Sequence, residues 1–313
     1  MRFSVKTTAA LTILILAAGF ATGCGRAQKP DRQPEVRLRV LTSFFPIWCF
    51  TKNVIGDDVT VELDILIPPN RSPHDYQLTP GDLRAINSAD LFIVNGYYLE
   101  EFLEQAVAKA KPGLKIVRAG EAVAPIYVTA AEAGGDIHPG GVNPHTFASP
   151  MDAALMVHAI ADALIAADPR GADRYRRNAE AYIRKLEALA GEFKTTVAAA
   201  PNKKIMTFHN AFDYLARATG LEIVGAIETV PGQEPSAGEL SRLAARARDL
   251  HVAAIYSEPQ YSPRLAETLG REAGVPVAEL DPGHTGELLP GAYETIMQGD
   301  LATLRRTLLP AAR

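Results

Sequence analysis

The chain has 313 residues, of which 47% are hydrophobic and 22% are charged, and its formal net charge is −4. This length allows two domains of ordinary size, and the composition is typical of a globular protein. Because the sequence has no strong excess of basic residues, it argues against a nucleic-acid partner.

The first 23 residues are predicted to be a signal peptide. Arg2 and Lys6 provide positive charge at its start, and the apolar run 11–20 is too short to span a bilayer as a permanent helix. Residues 21–24, with the sequence ATGC, resemble a bacterial lipobox, in which cleavage before Cys24 leaves a thiol that carries a diacylglycerol. The lipobox usually has Leu or Val in place of Ala21, so an ordinary signal peptide cut near Ala21 is the alternative. Both interpretations export the protein.

Residues 24–36 are predicted to be a flexible tether, because they are polar and contain prolines and basic side chains. A lipid on Cys24 would hold the protein on the extracytoplasmic side of a membrane, in the periplasm or at the cell surface, without spanning it. Cys49 is then the remaining cysteine, so no internal disulfide is predicted. Since Cys49 lies in an apolar segment, we expect a buried small hydrophobe rather than a reactive thiol.

From residue 37 the chain alternates between strand-like and helix-like segments, which predicts a parallel sheet covered by helices. The predicted strands are 38–43, 59–66, 91–94 and 114–118, and the predicted helices are 79–88 and 99–110. Thr79 would cap the first of these helices, with Pro80 at its first position. The pattern breaks at 131–141, a predicted mobile surface loop that contains His138.

A long helical stretch follows, from about 151 to 200, with a break near Pro169. The part after the break would extend about 40 Å at 1.5 Å per residue, which is longer than a usual crossover helix. We expect it to act as a stiff spine that limits hinge motion between two domains.

After residue 201 the alternation starts again. Gly220 is predicted to end one helix, and Ser236 with Glu239 forms a capping box at the start of another. The predicted strands are 204–208, 222–227, 252–257 and 275–280, and the predicted helices are 211–219, 236–250, 264–273 and the segment from 293. The predicted fold class is therefore α/β, with two parallel-sheet lobes, 37–160 and 201–313, joined by a backbone helix within 161–200.

Four candidate metal ligands lie near predicted strand ends or helix starts. They are His74, His145, His209 and Asp281, two from each predicted lobe. Ligands of parallel α/β sheets bind outside the carboxyl ends of the strands, so a metal in the cleft would join the lobes. Any one of these histidines alone could instead be a hydrogen-bonded turn residue.

Three imidazoles and one carboxylate suit tetrahedral Zn²⁺, with bonds of about 2.0–2.2 Å. Mg²⁺ and Ca²⁺ prefer shells made of oxygen, whereas Mn²⁺ and Fe²⁺ remain alternatives. Glu258 follows a predicted strand and could hold a ligand in place, or it could be the fourth ligand instead of Asp281. His284 lies three residues after Asp281 and could line the mouth of the cleft and contact a ligand.

Several motifs resemble, in the same order, those of the cluster A-I metal-binding proteins of ABC transporters, the zinc and manganese group. They span about residues 38–310 and include SPHDY (72–76), TPGDL (79–83), NPH (143–145), HNAFDY (209–214), EPSA (234–237), SEPQYS (257–262) and LDP (280–282). The motif EPQ (258–260), and His209 where an acid could stand, are similar to the zinc branch.

The resemblance implies two lobes joined by a rigid helix, with the metal between them, and delivery of that metal to a membrane permease. It predicts a protein that is not an enzyme, and we expect a monomer. Two positions depart from the family pattern. Ser149 stands where an Asp is usual, and the loop with His138 lacks the histidine-rich segment of many zinc members, so a second metal site in that loop is not expected.

Two other functions are compatible with a zinc site. A secreted zinc hydrolase would keep an open position on the metal for water, whereas four protein ligands would close the shell, and the chain has no His-Glu-x-x-His motif. A surface lipoprotein with a purely structural metal would unfold when the metal is removed. Metal transport instead predicts a folded metal-free form, because each lobe has its own core.

Overall fold

The computed structural model describes residues 35–74, 76–103, 106–107, 110–127, 141–228 and 235–310. The predicted signal peptide, Cys24 and His138 lie outside these residues. Lipidation of Cys24 and the expected lack of a metal site near His138 therefore stay predictions.

The first lobe contains a four-stranded parallel sheet. Its strands are β1 (Leu38–Thr42), β2 (Val61–Ile65), β3 (Leu91–Val94) and β4 (Lys115–Arg118). Their spatial order is β2-β1-β3-β4. Helix α1 (Phe45–Ile55) follows β1, and helix α2 (Pro80–Ser88) precedes β3. Every residue of β3 is buried, as is typical of a central strand in a sheet covered on both faces.

The second lobe repeats this arrangement. Its strands are β5 (Lys204–Thr207), β6 (Glu222–Ala226), β7 (Ala254–Ser257) and β8 (Val277–Glu279), all parallel, in the order β6-β5-β7-β8. The helices between them are α5 (Asp213–Thr219), α6 (Ala237–Asp249) and α7 (Arg264–Ala273). In both lobes, candidate ligands thus lie on loops that follow the carboxyl ends of strands: His74 after β2, His209 after β5 and Asp281 after β8.

Two consecutive helices connect the lobes. They are α3 (Pro150–Ala167) and, after a short 3₁₀ turn, the 28-residue helix α4 (Ala172–Ala199). The side chains that α4 buries recur every three or four residues, so one face of the helix is apolar along its length: Tyr175, Ala179, Tyr182, Leu186, Leu189 and Phe193. The predicted fold class, two parallel-sheet lobes joined by a long helix, is confirmed.

One apolar cluster runs through both lobes and the helix that joins them. It includes Val40 of β1, Tyr182 of α4 and Ile205 of β5, and the final helix α8 (Ala292–Leu308) contributes Met297. Each lobe also has a smaller cluster of its own. Since the main cluster crosses the predicted domain boundaries near residues 160 and 200, those boundaries stay a prediction.

An ion-pair network fastens the start of the first lobe to the junction between α3 and α4. Arg37 donates to both oxygens of Asp168 at 2.9 and 2.7 Å and to Asp58 at 2.8 Å. Asp58 also pairs with Arg174, and the Tyr175 hydroxyl donates to Asp168 at 2.7 Å. Burial by itself would raise the pKa of Asp168, but the hydrogen bonds from Arg37 and Tyr175 lower it.

Local predictions agree with most element starts and stops. The capping boxes at Thr79 and Ser236 are present, and Gly220 ends α5 in the left-handed conformation with φ 82°. Cys49 is free and buried, as expected. The predicted helix 99–110 differs, because within the described residues it begins as a 3₁₀ turn, Glu101–Leu103.

Candidate metal centre

His74 lies on the loop between β2 and α2 and is partly exposed. Its backbone N–H donates to the Ser72 hydroxyl at 3.2 Å. Earlier in the loop, Asn70 adopts φ 65°; its N–H donates to the His284 carbonyl at 3.4 Å, and its Oδ1 accepts from the Gly286 N–H at 3.1 Å. The loop that carries His74 is therefore tied to the second lobe.

His145 lies just before α3 and is 1% exposed. Its Nδ1 is 2.9 Å from Oδ1 of Asn143, so its Nε2 faces away from that amide. The next helix is capped by Ser149, whose hydroxyl accepts from the backbone N–H of Asp152. Ser149 thus anchors the helix that follows His145, at the position where the family pattern has an acid.

His209 directly follows β5 and is also buried. Its Nδ1 lies 2.6 Å from Oε1 of Glu258, which follows β7 and is 1% exposed. Burial lowers the pKa of His209, but the Glu258 carboxylate outweighs this effect, so the pKa is raised overall. The Gln260 amide donates to the other Glu258 oxygen at 2.7 Å. Glu258 therefore contacts His209 in the way expected of a residue that holds a ligand in place.

The three histidines converge. Nε2 of His145 lies 3.1 Å from Nε2 of His74 and 3.3 Å from Nε2 of His209. One ligand nitrogen from each ring lies within 4.8 Å of the others, and together they form a group that could hold a metal ion. Around a tetrahedral zinc with bonds of about 2.0–2.1 Å, ligand atoms lie about 3.4 Å apart. The spacing of these nitrogens thus suits a single small cation.

Asp281 lies just after β8, and among the described residues it does not join this group. Its Oδ1 accepts from the backbone N–H groups of Gly283 at 2.8 Å and His284 at 3.1 Å, and its Oδ2 accepts from the Thr285 hydroxyl. Burial raises the pKa of Asp281, and the nearby charge of Glu258 raises it further. Its role as a ligand stays a prediction.

His284 is buried between aromatic rings, with ring centroids 6.0 Å from Phe44 and 5.3 Å from Phe147. Its Nδ1 lies 3.4 Å from Nε2 of Gln260, which in turn donates to Glu258. Burial, followed by the charge of His209, lowers the pKa of His284 to about 3. His284 is therefore neutral and connected to the centre through Gln260, and its predicted contact with a ligand stays a prediction.

Asn143, Asn95 and Gln260 also build the centre, although sequence analysis placed them in motifs without assigning them a contact with a ligand. The Asn95 amide donates to the Pro144 carbonyl at 2.8 Å, next to His145. Asn143 stands two residues before His145, a spacing at which Asn often binds nearby backbone. This spacing is the sequence feature from which a contact between Asn143 and His145 could have been predicted. Gln260 and Asn95 depend on contacts between distant segments.

A cavity lies beside the loop that carries His74 and is lined by residues of both lobes. Ser72 and Tyr76, which flank His74 in sequence, line one side, and Gln260 and Tyr261 line the other. The Tyr261 ring stacks on Phe208 with centroids 4.5 Å apart. His74, the most exposed histidine of the three, lies on the loop that lines this cavity.

Two matched parallel-sheet lobes, a long connecting helix and converging imidazoles at the seam define a metal-binding solute-binding protein. The chain belongs to the ZnuA family, described as zinc-uptake complex component A, periplasmic, whose model matches residues 40–307. The resemblance inferred from the motifs is thereby confirmed, and the protein is extracytoplasmic. This family consists of transport-associated binding proteins rather than enzymes.

Known proteins similar to this chain support the assignment. The high-affinity zinc uptake system protein ZnuA of Bacillus subtilis is 34% identical over 291 residues, which are 87% of this chain and 86% of that protein. The zinc-binding lipoprotein AdcA of Streptococcus pneumoniae is 31% identical over 95% of this chain, which spans 60% of that protein's length. The solved structure of the solute-binding protein FpvC of Pseudomonas aeruginosa, in complex with Mn²⁺, has a TM-score of 0.78 at 33% identity, covering 87% of this chain and 98% of that one.

Proposed function

We propose that this protein captures Zn²⁺ outside the cytoplasm and delivers it to the permease of an ABC transporter. The observation that carries the proposal is the convergence of His74, His145 and His209, whose ligand nitrogens lie within 4.8 Å of one another. Neutral imidazoles are preferred zinc ligands. A protein that only binds and releases an ion between its two lobes needs no catalytic group.

Asp281 is the proposed fourth ligand. Its two oxygens accept hydrogen bonds from residues 283–285, which hold the carboxylate in one orientation. An ionised carboxylate has about four lone-pair sites, so each oxygen keeps the capacity to bind a cation. Glu258, by contrast, is engaged with His209 and Gln260, which supports a positioning role rather than ligation.

Zinc is proposed over manganese because three nitrogen donors and one oxygen donor match the softer ion. Mn²⁺ is the second candidate, because the similar FpvC structure holds Mn²⁺. The test is elemental analysis of protein purified without added metal, followed by competition between zinc and manganese. We expect zinc to be found and to displace manganese, whereas retention of manganese under excess zinc would favour the second candidate.

We propose no enzymatic activity, because a fourth protein ligand would leave no open position on zinc for a reactive water. Zinc-loaded protein can be assayed with peptide, ester and phosphate substrates. We expect no turnover above background. Turnover that is lost in His74→Ala would overturn this part of the proposal.

The lipid anchor on Cys24 and a monomeric state complete the proposal. Mass spectrometry of the mature N-terminus should find a diacylated Cys24, and Cys24→Ala should move the protein from the membrane fraction to the soluble fraction. An unmodified N-terminus near Ala21 would instead support an ordinary signal peptide. Growth of a deletion strain under zinc limitation, restored by the wild type and not by His209→Ala, would test delivery.

A further inference from the structure

The Asn143 side chain bridges the two lobes, and each of its polar atoms has partners. Its Oδ1 lies 2.9 Å from the backbone N of His145 and 2.9 Å from Nδ1 of the same residue. Its Nδ2 lies 2.7 Å from the Asn210 carbonyl and 2.8 Å from Oδ2 of Asp213. Asn143 is 1% exposed, so water competes little for these contacts.

These contacts fix which way the amide points. The Asn210 carbonyl and the Asp213 carboxylate can only accept hydrogen bonds, so the amide group that faces them must be the NH₂ donor. The atom that faces His145 is then the amide oxygen, which can only accept. It follows that Nδ1 of His145 carries the proton and that its Nε2 carries the lone pair.

Hydrogen bonds from both lobes hold the backbone around Asn143, and this restrains the side-chain amide in its position beside His145. The Tyr214 hydroxyl of the second lobe donates to the Asn143 carbonyl at 2.7 Å, and the Asn95 amide of the first lobe donates to the Pro144 carbonyl at 2.8 Å. At Gly120 a Cβ would lie 2.7 Å from the Asn95 carbonyl oxygen, so only glycine allows this close approach.

We propose that Asn143 is a positioning residue for metal capture: it selects the tautomer of His145, and Asp213 of the second lobe sets the orientation of its amide. The Nε2 atom selected in this way is the one that faces His74 and His209. A side chain of the second lobe thus prepares a ligand atom of the first lobe. The effect on zinc rests on the proposed function, whereas the tautomer is a property of the metal-free protein.

The test uses the full mature chain with ¹⁵N-labelled histidine. Long-range ¹H–¹⁵N spectra of the metal-free protein, at a pH where the imidazoles are neutral, report which nitrogen carries the proton. We expect the Nδ1–H form of His145 in the wild type and a shift toward Nε2–H in Asn143→Leu, a change of similar volume. Zinc affinity should fall 10–100-fold, as is typical when a partner of a metal ligand is lost.

Asn202→Leu is the matched control. Its amide donates to the His251 carbonyl at 2.6 Å and accepts from Lys204, away from the histidine group, so the tautomer and the zinc affinity should not change. If Asn143→Leu keeps the Nδ1–H form, or if its tautomer shifts while zinc affinity stays at the wild-type value, the proposal is wrong. Absence of zinc binding in the wild type would refute the proposed function alone, because the spectra would still decide the tautomer.

A second set of variants does not depend on the folding of Asn143→Leu. In Asn143→Asp, two carboxylates would oppose each other across the seam, and zinc binding should weaken. Because a carboxylate at 143 also accepts from Nδ1–H of His145, the Nδ1–H form should be kept in this variant and in the double variant with Asp213→Asn. Adding Asp213→Asn restores a donor facing an acceptor, so the double variant should recover most of the zinc affinity. A double variant no better than Asn143→Asp would show that the pair is not coupled and would overturn the proposal.

Discussion

The two lobes build their sheets in the same strand order but support their candidate ligands with different chemistry. In the first lobe the neutral amide of Asn143 faces Nδ1 of His145 at 2.9 Å, and in the second lobe the Glu258 carboxylate faces Nδ1 of His209 at 2.6 Å. An amide orients a ring without adding charge, whereas a carboxylate also makes the ring more basic. The two rings therefore have different partners, and the carboxylate raises the pKa of His209.

The largest expected effect comes from removing a ring altogether. His145→Ala and His209→Ala should each lower zinc affinity by more than about 100-fold, because loss of an outer partner alone costs 10–100-fold. Competition with a chelator of known affinity measures the change. His158→Ala, an exposed histidine on α3, is the control and should bind as the wild type does. Wild-type affinity in either site variant would remove that lobe's histidine from the centre.

The dependence of zinc affinity on pH is a sharper test of the difference between the two lobes. Zinc binds the neutral imidazole, so protonation competes with the metal, and the raised pKa of His209 means that this competition starts at a higher pH. Apparent zinc affinity should therefore fall as the pH is lowered from about 7.5 to about 5.5, as calorimetry can show. An affinity that is constant over this range would contradict histidine ligation.

Glu258→Gln separates charge from orientation in the second lobe. Without the carboxylate, only the weaker effects of the Glu228 and Asp213 charges oppose burial, so the pKa of His209 should fall. Zinc binding at neutral pH should weaken about 10-fold or more, and its decrease on acidification should move to lower pH. Affinity measured across the pH range gives both quantities. Glu222→Gln, at an exposed position on β6, should reproduce the wild-type curve. Parallel curves for wild type and Glu258→Gln would mean that the lobes do not differ in this way.

The smallest effect on the metal is expected from the ion-pair network, which supports the scaffold and not the ligands. Arg37→Met removes the guanidinium that pairs with both Asp168 and Asp58. The substitution should lower the free energy of unfolding by about 2–3 kcal/mol. Arg39→Met breaks an exposed pair with Glu62 and should cost at most about 1 kcal/mol. Denaturant unfolding compares the two, and zinc affinity should be the same in both. Equal stability losses would show that burial of the network adds nothing.

Most of the fold could be predicted because its signals are local. Apolar runs, the caps at Thr79 and Ser236 and the stop at Gly220 each act within a few residues, and the structure contains all of them. The segment 99–110 was harder, since the same apolar spacing is compatible with a 3₁₀ turn, which its described start adopts.

The candidate site could be predicted only in part. His74, His145 and His209 stood out because strand ends meet in a parallel sheet. The orientation of the Asn143 amide could not be predicted, because it depends on Asn210 and Asp213, which are 67 and 70 residues away in the chain. Sequence spacing identifies donors and acceptors, whereas their mutual arrangement is set by tertiary contacts.

The continuous apolar interior has a consequence for how an ion can leave. Parting the lobes would expose side chains of that interior to water, at about 25 cal/mol for each Å² of apolar surface. The His74 loop is attached across the seam by Asn70, through contacts of 3.4 and 3.1 Å. Among its described residues only Ile67 and Tyr76 belong to or pack against that interior, so its displacement exposes less of it. If the His74 imidazole leaves the ion first, the ion loses one ligand while the two lobes stay together. This is therefore the less costly way for the ion to leave.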